Sequence, residues 1–146
     1  MVKVYHILPE HTNKISHLNN NITNKIPVIS AVYMTGCGHC DRMIPKWKIA
    51  AREMKKKYSG DVIIALINKD SMYNTKLPTK NIMGYPHIMS VTNNNEIEYN
   101  GDRSEEDLMK FMQLHGGSHL LKKQSGGKKT KRKSRKSRKS RKSKRK

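Results

Sequence analysis

The hydrophobic pattern of this chain is clearest between Ile26 and Met34, where IPVISAVYM is almost uninterrupted in apolar and β-branched residues. Such a run suits a strand covered on both faces. From Gly38 to Tyr58 the period changes. Met43, Trp47, Ala50, Ala51, Met54 and Tyr58 recur at helical spacing, while Arg52, Lys55, Lys56 and Lys57 supply the wet side and the positive charge of a last turn. Pro45 inside this predicted helix removes a backbone donor and is expected to kink it. Ser59-Gly60-Asp61 ends the helical period, and Val62 to Ile67, VIIALI, reads as a second buried strand. Strand, helix and strand in that order predict a right-handed parallel βαβ unit.

Further on, His87 to Val91 and Glu96 to Tyr99 flank Thr92-Asn93-Asn94-Asn95, a hairpin closed by asparagines that tolerate turn angles. An added hairpin makes the sheet mixed. Ser104 with Asp107 three residues later starts a last helix, whose Leu108, Phe111, Met112 and His115 keep helical spacing until Gly116-Gly117 stops it. At the other end, Val2, Val4 and Ile7 suggest a short strand and Thr12 to Asn20 a first helix, although the asparagine-rich composition weakens both signals. The fold class expected is α/β, with a central mixed β-sheet flanked by helices.

Charge changes this picture only past residue 121. Of the 31 Lys and Arg, 15 share residues 1 to 121 with all 11 Asp and Glu, and the other 16 lie in residues 122–146 without a single acid. The chain therefore divides into a domain, 1–121, and a Lys/Arg/Ser-rich tail, 122–146. About 120 residues suffice to bury roughly two-thirds of the unfolded surface in one core. The tail repeats Lys-Ser-Arg, has no apolar side chain able to build a core, and is expected to be disordered. Lys131, Arg132, Lys133, Arg135, Lys136, Arg138, Lys139, Arg141 and Lys142 form its densest basic stretch, suited to a polyanion such as nucleic acid. Without Phe, Tyr or Trp it cannot stack on bases, so binding would run through phosphates and ignore sequence. The same clusters are nuclear-import-like, and Ser134, Ser137, Ser140 and Ser143 stand where phosphorylation would remove charge.

The two cysteines are too few for a disulfide scaffold, and neither a secretory leader nor an 18-residue apolar run is evident. A cytoplasmic or nuclear, reducing location is expected, where a cysteine pair is catalytic or metal-binding rather than structural. Cys37-Gly38-His39-Cys40 sits where the first buried strand hands over to the helix. Cys37 at the helix N-terminus meets unpaired backbone N–H groups and the positive dipole end, which favour a thiolate. Cys40, one turn on, can reach back, so the pair can cycle between dithiol and disulfide through a mixed disulfide. Cys37 is thus the expected nucleophile and Cys40 the resolving thiol. His39, when protonated, would favour the thiolate further.

With these residues in view the sequence resembles the thioredoxin superfamily, and more closely the catalytic domains of protein disulfide isomerases. The likeness rests on the strand before CGHC, CGHC itself, Pro45 and Trp47 in the helix, Gly84-Tyr85-Pro86, and Tyr99-Asn100-Gly101-Asp102-Arg103-Ser104 before the last helix. It covers residues 26 to 115. The resemblance implies a thioredoxin-like fold, a redox-active Cys37–Cys40 disulfide exchanging with protein thiols, and a cis-proline at Pro86. It implies a substrate groove of Gly84, Tyr85, Pro86 and His87, and a catalytic Arg103 that lowers the pKa of the resolving thiol. It requires no cofactor or metal, and a sulfhydryl oxidase is a candidate electron acceptor.

Three departures stand out. Ala31 replaces the family's buried carboxylate six residues before Cys37, and Leu66 replaces the lysine some relatives pair with it. Proton transfer from Cys40 is then left to water, His39 or Arg103. Gly36 replaces a tryptophan, and His87 a threonine. The alternative function is a polyanion-binding protein on a redox-inactive or zinc-binding domain. His115 and His119 have the H-x₃-H spacing of a zinc finger, though their distance from Cys40 does not. His6, His11 and His17 read as scattered surface histidines, and the chain as a monomer. Its abundance of Asn, Lys and Ile, together with the tail, resembles proteins of large DNA viruses with AT-rich genomes, which would place it in host cytoplasm or a virion.

Overall fold

The computed structural model describes residues 1–123, so the expectations for residues 124–146 lie outside the described residues. Its elements run β1 (Lys3–Ile7), α1 (Thr12–Thr23), β2 (Val28–Tyr33), α2 (Gly38–Lys57), β3 (Tyr58–Ser59) and β4 (Ile63–Asn68). A 3₁₀ turn (Lys69–Asn74), β5 (His87–Thr92), β6 (Asn95–Glu98), α3 (Glu105–Gly116), a second 3₁₀ turn (Gly117–His119) and β7 (Leu121–Lys122) complete them.

Five strands form one sheet in the order β1-β4-β2-β5-β6. β4 lies parallel to both β1 and β2, while β5 runs antiparallel to β2 and β6 to β5. The mixed α/β sheet expected from the two buried runs and the hairpin is therefore observed. Every residue of β2 and of β4 is buried, which is what a strand with helices over both faces requires. Asn93 and Asn94 close the hairpin with φ of 51° and 68°, the left-handed pair that a two-residue turn demands and asparagine tolerates.

The sheet separates two apolar layers. Ile29, Ala31 and Tyr33 of β2, with Ile64 and Leu66 of β4, face α2 and α3 through Met43, Trp47, Met54, Leu108 and Met112. Val28 and Val32, with Ile63, Ala65 and Ile67, face Ile15 and Leu18 of α1 and the loop residues Met72 and Leu77. The weak N-terminal signals thus correspond to a real strand and helix. The βαβ unit carries the site because α2 starts directly off the central strand.

A two-stranded ladder, β3 with β7, is the element sequence reasoning did not anticipate. It ties residues 121–123 to the end of α2, with Lys123 N–H donating to Lys57 O at 2.8 Å. β7 straddles the boundary expected after residue 121.

The start of α3 is set by a polar knot. Ser104 caps the helix by accepting from Asp107 N–H at 3.1 Å, and the Tyr99 hydroxyl donates to the Asp107 carboxylate while accepting Arg103 N–H at 2.9 Å. A Cβ at Gly101 would run into both the Tyr99 hydroxyl and Asp107, so only glycine fits beneath the knot. Burial, aided by Asp107, pushes the Tyr99 phenol up to about 12. Tyr99→Phe is expected to destabilise the fold by about 1–3 kcal/mol, because it strands a carboxylate and a backbone donor together. Urea denaturation should show a lower midpoint, and an unchanged midpoint would mean that the knot contributes nothing.

Candidate active site

The turn from β2 into α2 fixes the cysteine pair. Gly36 takes φ of 81°, a left-handed conformation that suits glycine, and swings the chain out of the sheet. Cys37 then occupies the N-cap of α2 in extended conformation, and its sulfur accepts the Cys40 N–H at 3.3 Å. The thiol does the work that a serine or aspartate oxygen does at most helix starts. Both cysteines are free thiols, Cys37 half-buried and Cys40 fully buried.

That difference in placement splits their acidity. The Cys40 thiol, together with the Cys40 and His39 backbone N–H groups, holds Cys37 below the usual thiol value, against a small opposing effect of burial and of Asp41. Burial and the donation to Cys37 push Cys40 up to about 11. Beneath Cys40 the wall is apolar. Ala31 and Leu66 are paired across β2 and β4 and are both buried, so the two positions lacking a carboxylate and a lysine face one another in the core. Losing both polar partners together leaves no buried charge unpaired.

The second side of the site comes from the loop before β5. The Tyr85-Pro86 peptide bond is cis, and Tyr85 O lies 3.7 Å from Cys37 Sγ, within reach of its S–H. Gly84 and Met83 are exposed beside it. Pro86 borders a hollow of about 220 Å³ with Ile88, Tyr99, Gly101 and Arg103. Tyr85 lines another of about 230 Å³ with Met72, Tyr73 and Ile82. The two hollows thus lie on either side of the cis Tyr85-Pro86 bond, whose Tyr85 carbonyl faces Cys37.

Other expected residues are placed less centrally. Arg103, half-buried with φ of 64°, borders both the Pro86 hollow and a smaller one shared with His39 and Arg42. Its backbone is held in that costly conformation by the bond to Tyr99. His39 is exposed, and Arg42 donates to its Nδ1 at 2.9 Å, which makes that nitrogen an acceptor. His87 needs correction. Its ring is buried, lies on the α1 side with Met89 and Val91, and stands 3.5 Å from Glu96 and 3.9 Å from Glu98. It does not line the groove, because the residue after Pro86 already follows strand alternation. Trp47 is core, as expected. His115 packs on Phe111 at 4.3 Å between ring centres, and among the described residues no cluster of three or more His, Cys, Asp or Glu is arranged to hold a metal. Among those residues, too, no helix is long and apolar enough to cross a membrane.

Sequence reasoning missed His6. It is not a scattered surface residue: its Nε2 lies 2.8 Å from the hydroxyl of Tyr33, a side chain of the Cys40 cluster. The signal was present in strand alternation, which puts Val4 and His6 on one face of β1.

Comparison with known proteins agrees with this geometry. The thioredoxin family model matches residues 10–114. A Caenorhabditis elegans protein named "Probable protein disulfide-isomerase A4" is 30% identical over 92 residues, 62% of this chain and 14% of that protein. Human protein disulfide-isomerase A6 is 32% identical over 79 residues, 53% of this chain and 18% of its own length. The chain thus spans less than a fifth of these relatives. The first thioredoxin domain of mouse protein disulfide-isomerase A4 superposes with a TM-score of 0.58 at 21% identity, covering 70% of this chain and 72% of that domain.

Asp41 in the first turn of α2 opposes the Cys37 thiolate, which gives a test of the site's electrostatics with the sign fixed in advance. Asp41→Asn should move the pH midpoint of Cys37 alkylation by iodoacetamide downward and speed the reaction at neutral pH. An upward or absent shift would show that the acidity of Cys37 is set elsewhere.

Proposed function

The chain belongs to the thioredoxin family, and on that premise we propose that it is a thiol-disulfide oxidoreductase exchanging disulfides with protein substrates through Cys37 and Cys40. The observation that carries the reading is the split between the two thiols. An accessible sulfur at a helix N-cap with a lowered pKa is built to attack, and a buried one beside it with a raised pKa is built to wait. In this reading Cys37 attacks a substrate disulfide, a mixed disulfide forms, and Cys40 displaces the substrate. Gly84, Tyr85 and Pro86 hold the incoming chain, and Arg103 supplies positive charge near the Cys40 side of the site. The direction of exchange follows the potential of the partner, for which a sulfhydryl oxidase is one chemical class that would re-oxidise the pair.

Cys37→Ser should abolish reduction of insulin disulfides, while Cys40→Ser should accumulate long-lived mixed disulfides visible on non-reducing gels. Equal residual turnover in the two variants would overturn the assignment of roles.

The 16 basic side chains past residue 121 support a second, separate activity. We propose that they bind nucleic acid through phosphates, tethering the redox domain to a polyanion without altering its chemistry. Affinity for a random DNA duplex should fall by orders of magnitude between about 50 and 200 mM salt, as counterion release requires. Deleting residues 124–146, which carry 14 of these 16 and leave β7 in place, should remove this binding and leave insulin reduction nearly unchanged. Undiminished DNA binding after deletion would place the site on the domain instead.

A further inference from the structure

The five-stranded sheet has two open edges, β1 and β6. β1 is hydrogen-bonded to β4 on one side only. Lys3 N–H donates to Val62 O at 3.0 Å across that pairing, so strand alternation turns the backbone N–H of Val4 away from the sheet. The His6 carbonyl, on the same outer side, accepts only from the Lys14 ammonium at 3.2 Å. An edge of this kind can take one more strand.

Between this edge and α2 lies a groove of about 410 Å³. Its floor is apolar, made by Val4, which is 37% exposed, and by the buried Trp47, Ala51 and Leu66. Its rim is cationic. Lys48, Arg52 and Lys55 follow one another at helical spacing along one face of α2, and all three are exposed. No acidic residue lines the groove, and among the described residues none of the three cations is ion-paired. Glu53, the adjacent acid, is taken by Lys57 at 3.6 Å. The rim lies roughly 16–27 Å along α2 from Cys37 at the helical rise of about 1.5 Å per residue, so the groove is distinct from the site of the thiols.

We propose that β1 and this groove form a docking site for an extended acidic segment of a partner protein, separate from the thiol chemistry. The segment adds as a strand along the outer side of β1, and every second side chain then falls over the groove. The pattern that fits is acidic, any, apolar, any, acidic: the apolar residue meets Val4, Trp47 and Leu66, and the carboxylates meet Lys48, Arg52 and Lys55. Charge excludes the occupants this chain could supply itself. Residues 124–146 hold 14 basic side chains and no acid, and a second copy pairing β1 to β1 would bring two cationic rims together. The β6 edge of a second copy carries Ile97 on one face and Glu96 and Glu98 on the other, so it cannot present both chemistries to one groove. Nucleic acid would supply the negative charge but neither the strand nor the apolar side chain.

The test uses the full chain and two cysteine-free peptides of one composition, one alternating Glu-Thr-Leu-Thr-Glu between threonines, the other with its acids grouped at one end and its leucine at the other. The basic residues past 121 meet both peptides alike, so the difference in affinity reads the groove. Fluorescein-labelled peptide gives affinity by anisotropy, and unlabelled peptide is followed by the emission of Trp47, the sole tryptophan of the chain. The alternating peptide should bind about tenfold or more tightly than the shuffled one, and it alone should shift Trp47 emission. Arg52→Glu combined with Lys55→Glu should remove that preference. Val4→Pro, which takes away the outward N–H and leaves the Lys3 bond to β4, should weaken the alternating peptide by about fivefold or more. Arg52 and Lys55 are exposed, so the charge variant serves if Val4→Pro does not fold. Equal binding of the two peptides, or a preference that survives the charge variant, would overturn the docking site. Binding lost in Cys37→Ser would place the peptide at the thiols instead and equally overturn it. A DNA duplex that displaces the alternating peptide and shifts Trp47 emission, indifferent to Val4→Pro, would overturn the assignment in favour of a phosphate site.

Discussion

A sulfur atom at the start of α2 holds the site together. Because Cys37 Sγ accepts the Cys40 N–H, one contact caps the helix, orients the accessible thiol and fixes the second cysteine one turn below it. The contact exists only because β2 is buried on both faces and ends at Gly36, whose left-handed backbone turns the chain directly into the helix. Everything that supports β2 therefore supports the chemistry: β4 on one side, β5 on the other, and the apolar layers of α1 below and α2 with α3 above.

Ala31 and Leu66 pair across β2 and β4 in the same buried cluster as Cys40 and leave that layer without a charge. The layer is closed by Tyr33, whose hydroxyl finds its hydrogen bond at His6. A neutral phenol–imidazole pair places no permanent charge in the core, which avoids the desolvation penalty that a buried ion carries. It also puts the basic group at the edge of the sheet, next to a cavity with a cationic rim. The loop that carries Tyr85 and Pro86 completes the site from the other side, and Arg103 is held near it by the Tyr99–Asp107 knot.

Much of this was legible in the sequence, for identifiable reasons. β2, α2 and β4 were readable because long apolar runs and a capping motif leave few alternative arrangements, and the hairpin because Asn93 and Asn94 are suited to left-handed angles. CGHC at a strand–helix junction placed the two cysteines at the start of α2. What escaped was information carried by side-chain direction and by backbone pairing. His87 was read as facing the groove, yet it shares a face with Met89 and Val91 and turns toward Glu96 and Glu98. His6 was read as a scattered surface residue, and the register with β4 shows which neighbours it meets. The β3–β7 ladder is two residues long and bonded through the backbone, so side-chain pattern gives no sign of it.

The central claim is that fold placement alone gives two cysteines of one turn opposite acidities. Site-resolved titration of the reduced protein, with ¹³C-labelled cysteine Cβ atoms followed by NMR, measures it without any substrate. The account predicts that Cys37 titrates below the ordinary thiol value of 9.0 and Cys40 near 11, each assigned by its serine variant. Overlapping titrations, or Cys40 ionising before Cys37, would contradict it.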